Sequence, residues 1–280
     1  MTLDSKTTDD FHRDGVVVLR QVFSSKWIRE LCDGLAANMR SSGPYRREYS
    51  ECKKSGSFCG DYCNRQRIAA YENFARRSPA SELARALMGS IKVNFFHEHV
   101  IVKSPGVEEP TPWHHDYPYY CIDGMDSCSL WVPLDPVPQK NAVEFIAGSH
   151  LWGRLFQPKM FIGNDYPLGK DGFEIMPDIE AERKRHQILA FDLEPGDCAA
   201  FHFRAVHGAP GNCSSELWRR AIAFRWTGDD VTFQHRDGVM SPPFHEFDDC
   251  LLKPGDPLDS DLFPVIQPVC DDQAKLFMEN

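Results

Sequence analysis

The chain has 280 residues, 42% of them hydrophobic and 26% charged, the proportions of an ordinary folded protein rather than of a disordered or membrane-embedded one. Thirty-one basic against forty-one acidic residues give a net charge of -10, which argues against general affinity for nucleic acid or anionic membranes. No apolar run approaches the roughly 20 residues that span a bilayer, the start MTLDSKTTDD carries no apolar secretory core, and the chain is read as cytoplasmic.

Val16 to Leu19 is a short apolar run that reads as a strand, and a helix follows it. Ser24 or Ser25 can cap that helix, and Trp27, Ile28, Leu31 and Leu35 recur at helical spacing. Residues 41–66, rich in Ser, Gly, Tyr and Cys without a period, read as an irregular loop. Helical character returns from Ala69 to Met88, with Ala70, Phe74, Leu83, Ala86 and Leu87 as an inner stripe. Past Gly89 the texture changes. VNFFHEHVIVK, LWVPL, VEFI, ILAFDL, CAAFHF and AIAFRW are short β-branched and aromatic runs separated by Gly, Pro, Asn and Asp. They are too frequent, with too few helices between them, for a parallel α/β sheet. The prediction is a mainly β chain: an antiparallel sandwich or jelly roll behind an N-terminal helical portion. One domain is expected, with residues 1–90 helical, 91–228 the jelly-roll core, 156–184 an insertion read as a lid, and 229–280 a C-terminal extension.

Charge and cysteine are unevenly informative. Between Ser41 and Ala80 eight basic residues face four acidic ones, whereas from Asp229 onward twelve acids face three bases and read as a solvated surface. The ten cysteines are scattered and are read as reduced. Cys52, Cys59 and Cys63, separated by six and three residues, match no zinc ligand spacing well.

The chemistry concentrates in TPWHHDYPYY, residues 111–120. Side chains alternate along a strand, so His114 and Asp116 point one way and His115 the other. A His-x-Asp pair can therefore converge on one ion, and an adjacent His-Asp pair cannot. FHFRAVHGAPGN supplies a third partner, His207, at the end of an apolar strand, with His202 as its competitor. Two histidines and one carboxylate form the facial triad of non-haem Fe(II) oxygenases, which leaves three positions on an octahedral ion for a bidentate co-substrate and O2. On VNFFHEHVIVK, His97, His99, Ile101 and Lys103 share a face by period two. Arg219 and Arg220 face opposite sides, so only one can point into a barrel. Tyr117, Tyr119 and Tyr120 follow the metal motif, where they are placed to line a pocket or to pack. If the basic segment Arg46 to Arg77, with Arg65 and Arg67, folds over the mouth, it favours an anionic substrate such as a carboxylate, phosphonate or acyl thioester.

TPWHHDYPYY, SLWVPLDPV (Ser129 to Val137), AVEFIAGSH (Ala142 to His150), PGDCAAFHFRAVHGAPGN and WRRAIAF together resemble, in order, the phytanoyl-CoA dioxygenase family of Fe(II)/2-oxoglutarate oxygenases. The resemblance runs from about Asp10 to Trp226. It implies a double-stranded β-helix of the cupin-like jelly-roll type, with His114, Asp116 and His207 as Fe(II) ligands and catalytic centre. It further implies that Arg219, by the family's Arg-basic-Ala pattern, grips the far carboxylate of 2-oxoglutarate, a role suited to a two-pronged planar guanidinium. His99 and Trp131 fall where the family contacts the co-substrate, and Lys103 where it often has lysine. His97, Lys103, His115, Tyr117 and Arg65 are the candidate substrate residues. Two departures stand out: relatives usually carry Gln at the position of His115, and a hydroxyl residue is common at that of Ala209.

The expected function is hydroxylation of an unactivated C–H bond of a small, anionic organic substrate, with release of succinate and CO2. Desaturation, ring formation or epoxidation are open on the same centre. Halogenation is disfavoured because Asp116 fills the place that chloride would need. The alternative outside enzymes is a non-catalytic jelly-roll binding protein.

Overall fold

The computed structural model describes residues 3–50, 56–158, 172–236, 240–247 and 250–266. Five α-helices are described: α1 (Ser5–Asp14), α2 (Ser25–Arg40), α3 (Ala69–Arg77), α4 (Ala80–Met88) and α5 (Ile179–Glu182). The strands in chain order are β1 (Val16–Leu19), β2 (Arg47–Glu48), β3 (Phe58–Tyr62), β4 (Asn94–Lys103), β5 (Thr111–His114), β6 (Ile122–Asp123), β7 (Ser127–Pro133), β8 (Glu144–Ile146), β9 (Ile188–Leu189), β10 (Cys198–Phe201), β11 (His207–Ala209), β12 (Arg219–Thr227) and β13 (Thr232–Phe233). A large sheet runs β1-β10-β7-β12-β4-β3-β2, and a small one β5-β11-β8-β9. Every ladder in both is antiparallel. This is the jelly roll that the strand-and-turn texture predicts, with the helices largely on the N-terminal side.

Strand β12 shows how period-two alternation builds the layers. Ile222, Phe224 and Trp226 join the core beneath the helices, where the Phe224 ring lies 4.4 Å from that of Phe74. Ala221 and Ala223 belong instead to the core between the sheets, with Trp131, Phe145 and Phe201. Arg219 and Arg225 share that inner face with them, and the two small alanines leave room between the two long cations.

The helical portion departs from expectation in two places. The stretch Ala69 to Met88 is two helices, because Pro79 cannot extend α3; the Ser78 hydroxyl bonds the Phe74 carbonyl at 2.6 Å and accepts from Ala80 N. Helix α1 was not legible, since it buries only Phe11 and so lacks an apolar stripe. Its ends carry it: Asp4 accepts from Thr7 N at the start, and Gly15, at φ 75°, closes it through a bond to Phe11 O. Helix α2 follows the predicted stripe, with Ser24 at the N-cap position. It packs so close on α3 that a Cβ at Gly34 would meet the Ala70 Cβ at 2.7 Å.

Residues 41–66 are not a loop throughout. Strand β3 is fully buried and pairs along β4, although FCGDY contains no β-branched residue to announce it. Buried Asp61 accepts from Asn38 Nδ2 at 2.9 Å and Gly43 N at 2.7 Å, anchoring the chain that leads over the inter-sheet opening. Cys52 lies outside the described residues, and the eight described cysteines, Cys59 and Cys63 among them, form no disulfide with one another.

The insertion expected as a lid lies partly outside the described residues. Its described ends meet, with Gln157 N bonding Glu174 O at 2.7 Å and Arg154 pairing with Glu174 at 2.7 Å. The C-terminal extension is more than a solvated surface. Met240, Phe244, Leu258 and Phe263 are buried against Phe96, Tyr120 and Phe203. Among the described residues no helix is long and apolar enough to cross a membrane.

Candidate functional site

His114 ends β5 and His207 begins β11, and the two are direct partners across that ladder. Their ring centroids lie 4.3 Å apart. Asp116 is no longer on a strand: it sits at φ -71° and ψ -33°, capping the single turn Tyr117–Tyr119. The bend, rather than strict alternation, returns its carboxylate beneath His114, with Oδ1 3.7 Å from His114 Nε2. His114, Asp116 and His207 each offer one ligand atom, all within 4.8 Å of one another, and they are the one such group found among the described residues. His202 is elsewhere, bonded to Met125 O at 2.7 Å.

Both histidines are pinned alike. His114 Nδ1 donates to Pro112 O at 2.8 Å and His207 Nδ1 to Ala205 O at 2.9 Å. Each bond fixes the tautomer and puts the ligating lone pair on Nε2. Burial pushes His114 down to about 3 and lowers His207 as well, so both rings are neutral. Burial raises Asp116, but Arg225 and the neighbouring histidines outweigh it and bring it to about 2. The set is therefore two neutral imidazoles and one carboxylate, the donors a ferrous ion takes.

Arg225 is the residue that sequence reasoning missed. It is buried, lines the cavity, and donates to Asp116 Oδ2 from Nε at 3.3 Å and Nη2 at 3.1 Å. The Tyr120 hydroxyl joins the same cluster. The signal was available: Arg225 shares the period-two face of Arg219.

The cavity between the sheets has a volume of about 580 Å³. Arg219, His99, Trp131 and His97 line it, together with Tyr119, Tyr120 and Ala209. Arg219 is 4% exposed and, among the described residues, bonds only neutral carbonyls, those of Asn141 and Pro210. It makes no ion pair among the described residues, and burial brings it down to about 10. A buried guanidinium facing a cavity without a counterion fits the carboxylate of 2-oxoglutarate. Arg220 points the other way, as alternation requires, and pairs through Nε and Nη2 with Asp135 at 2.8 and 2.5 Å.

Four expected substrate residues do not line the cavity. Lys103 lies past its end, fully buried, with Nζ bonded to Glu109 O and Pro210 O and 4.1 Å from the Phe58 ring centre; burial, with Arg219 nearby, pushes it down to about 6. His115 faces away, and its Nε2 accepts from Phe156 N at 2.9 Å. The Tyr117 hydroxyl donates to Asp123 at 2.7 Å, and its ring lies under Arg204. Arg65 is paired with Glu72 at 2.6 Å. In their place, Tyr45, Arg47 and Tyr49 from the N-terminal portion and Met240, Pro242 and Glu246 from the C-terminal extension line the cavity.

The sequence profile of the phytanoyl-CoA dioxygenase family matches residues 11–221. A protein of Caenorhabditis elegans described as a probable phytanoyl-CoA dioxygenase is 24% identical over 161 residues, 54% of this chain and 48% of that one. The chain thus spans about half the length of that curated relative. Among solved structures, the non-haem alpha ketoglutarate dependent carbocyclase SnoK from nogalamycin biosynthesis is similar with a TM-score of 0.74 and 21% identity, covering 95% of this chain and 97% of that one. The epimerase SnoN, in complex with Fe3+, alpha ketoglutarate and nogalamycin RO, gives 0.72 and 20%, over 94% and 98%.

Proposed function

The chain belongs to the phytanoyl-CoA dioxygenase family, and from that premise we propose that it is an Fe(II)- and 2-oxoglutarate-dependent oxygenase that hydroxylates an unactivated C–H bond of a small organic substrate and releases succinate and CO2. The observation that carries the proposal is the group His114, Asp116 and His207, with its ligand atoms within 4.8 Å of one another and both imidazoles pinned through Nδ1. These three would hold Fe(II). Arg219 would grip the far carboxylate of 2-oxoglutarate, with His99 and Trp131 along the same wall.

Bound together, iron, 2-oxoglutarate and O2 supply an oxidant able to attack such a bond. The chain's own share is positional. Three ligands on one side of the cavity leave the other side for co-substrate and O2, and the buried walls keep bulk water from the reacting atoms. Arg225, by occupying Asp116 Oδ2, leaves Oδ1 for the metal.

Anaerobic addition of Fe(II) and 2-oxoglutarate should produce a visible charge-transfer band, and admitting air should release succinate. His114→Ala should lose both. If no band forms and His114→Ala leaves succinate release untouched, the reading fails. Ring closure on the same centre is the second outcome, in view of the reaction named for SnoK. Product mass separates the two, since hydroxylation adds an oxygen atom and ring closure removes hydrogen. The basic segment offers little support for an anionic substrate: of its described members, Arg47 alone lines the cavity.

A further inference from the structure

The cavity is larger than 2-oxoglutarate alone would fill, and its remaining wall has a distinct character. At the mouth the Tyr45 ring is stacked between those of Tyr62, at 5.2 Å and 6°, and Phe247, at 5.4 Å and 10°. Tyr62 in turn meets His99 edge-on at 5.5 Å. Deeper in, His97 lies edge-on to Tyr120 at 5.2 Å and Phe244 at 5.7 Å. Each ring is held by another, so this wall is largely aromatic and already ordered, and little conformational entropy is lost when a ligand packs against it.

Charge and hydrogen bonding narrow the occupant further. The charged side chains lining the cavity are three arginines (Arg47, Arg219, Arg225) and three acids (Glu48, Asp116, Glu246). A ferrous ion and a 2-oxoglutarate dianion cancel each other, so the loaded site is balanced and has no charge left for an anionic substrate. Arg225, the cation nearest the ligand group, is already committed to Asp116. His97 is different: it lines the cavity, is 4% exposed and makes no hydrogen bond to any described residue. Burial lowers it well below the usual histidine range, so it presents a neutral imidazole. The ring nitrogen enclosed by protein is Nδ1; a substrate oxygen in the cavity would be held by the other, Nε2, which bonds no described residue.

Resting on the oxygenase reading above, we infer that the open part of the cavity takes an uncharged, ring-bearing organic molecule, lying against the aromatic wall and holding one hydroxyl or carbonyl oxygen to His97. Such a molecule matches the usual lining of a small-molecule site, mostly apolar with a few placed polar groups.

A matched trio of probes tests this on the enzyme loaded anaerobically with Fe(II) and 2-oxoglutarate: 2-naphthol, naphthalene and 2-naphthoate, each titrated by equilibrium dialysis. We expect 2-naphthol to bind about tenfold or more tighter than 2-naphthoate and several-fold tighter than naphthalene. His97→Phe should bring 2-naphthol down to the level of naphthalene, with a thermal melt confirming that the variant is folded. Preference for 2-naphthoate, or no measurable binding of any of the three, overturns the inference, and the wild-type comparison decides this without the variant. The charge-transfer band of the same samples keeps the two readings apart. Its absence overturns the oxygenase reading, whereas a normal band with 2-naphthoate preferred overturns the substrate class alone.

Discussion

At Asp116 the two carboxylate oxygens have different partners: Oδ1 lies toward His114 and Oδ2 takes both bonds from Arg225. The guanidinium holds the carboxylate ionised in a buried place and would fix which oxygen a metal takes. Arg225→Met should weaken Mn(II) or Co(II) binding roughly ten- to hundred-fold, a typical cost of losing such a partner; unchanged affinity in a metal titration would show that the pair is only structural. Glu98, on the other face of β4, is wholly buried, accepts from Asn64 N through Oε1, and has no hydrogen-bond partner at Oε2 among the described residues. Burial pushes it up to about 7. A folded-state value above the unfolded one means that its contribution to stability is complete below about 4.5 and is lost as pH rises through about 7. Glu98→Gln should therefore gain on the wild type by up to about 3 kcal/mol between pH 5 and pH 8. Urea melts at the two pH values check this, and a gap that stays constant rejects it.

Elements place these residues, and here the sequence was partly legible. Period-two alternation predicts His114 and Asp116 together and His115 turned away, and the structure has them so. The cause differs for Asp116, whose direction comes from a bend after β5. His115 turned out to tie the metal-motif segment to the start of the insertion, through Phe156 N and a ring contact at 5.2 Å. His115→Leu leaves that buried N–H without an acceptor and should cost about 1–3 kcal/mol in a thermal or urea melt, while disturbing metal affinity less than Arg225→Met does. Strand β3 escaped notice because its burial comes from pairing with β4 and from the anchor at Asp61, neither of which leaves a local period. The break at Pro79 was visible in principle, since proline forbids continuation of a helix.

At the scale of the molecule, the site is made where two sheets meet. His114 and His207 stand on the small sheet, with Asp116 on the bend after β5, whereas Arg219, Arg225, His99 and Trp131 stand on the large one. The Asp116–Arg225 pair, at 3.1 Å, joins the two. Metal binding to such a group stabilises the folded chain alone, so Mn(II) at a thousandfold its dissociation constant should add about 4 kcal/mol and raise the melting temperature. His207→Ala should abolish that rise in a calorimetric scan, and a rise that survives would place the metal elsewhere.

The sequence by itself determined the fold class, a jelly roll behind a helical portion, and, through ordered motifs that resemble one family, the general class of chemistry. Period-two alternation, turn residues and the His-x-Asp motif are local properties, written within a few residues of one another. It could not determine which charged and aromatic side chains share a cavity. Arg65 and Tyr117 were drawn away by Glu72 and Asp123, and the mouth was completed by Tyr45 and Pro242 from opposite ends of the chain. Those outcomes depend on competition among partners far apart in sequence, and only tertiary packing decides which partner is within reach.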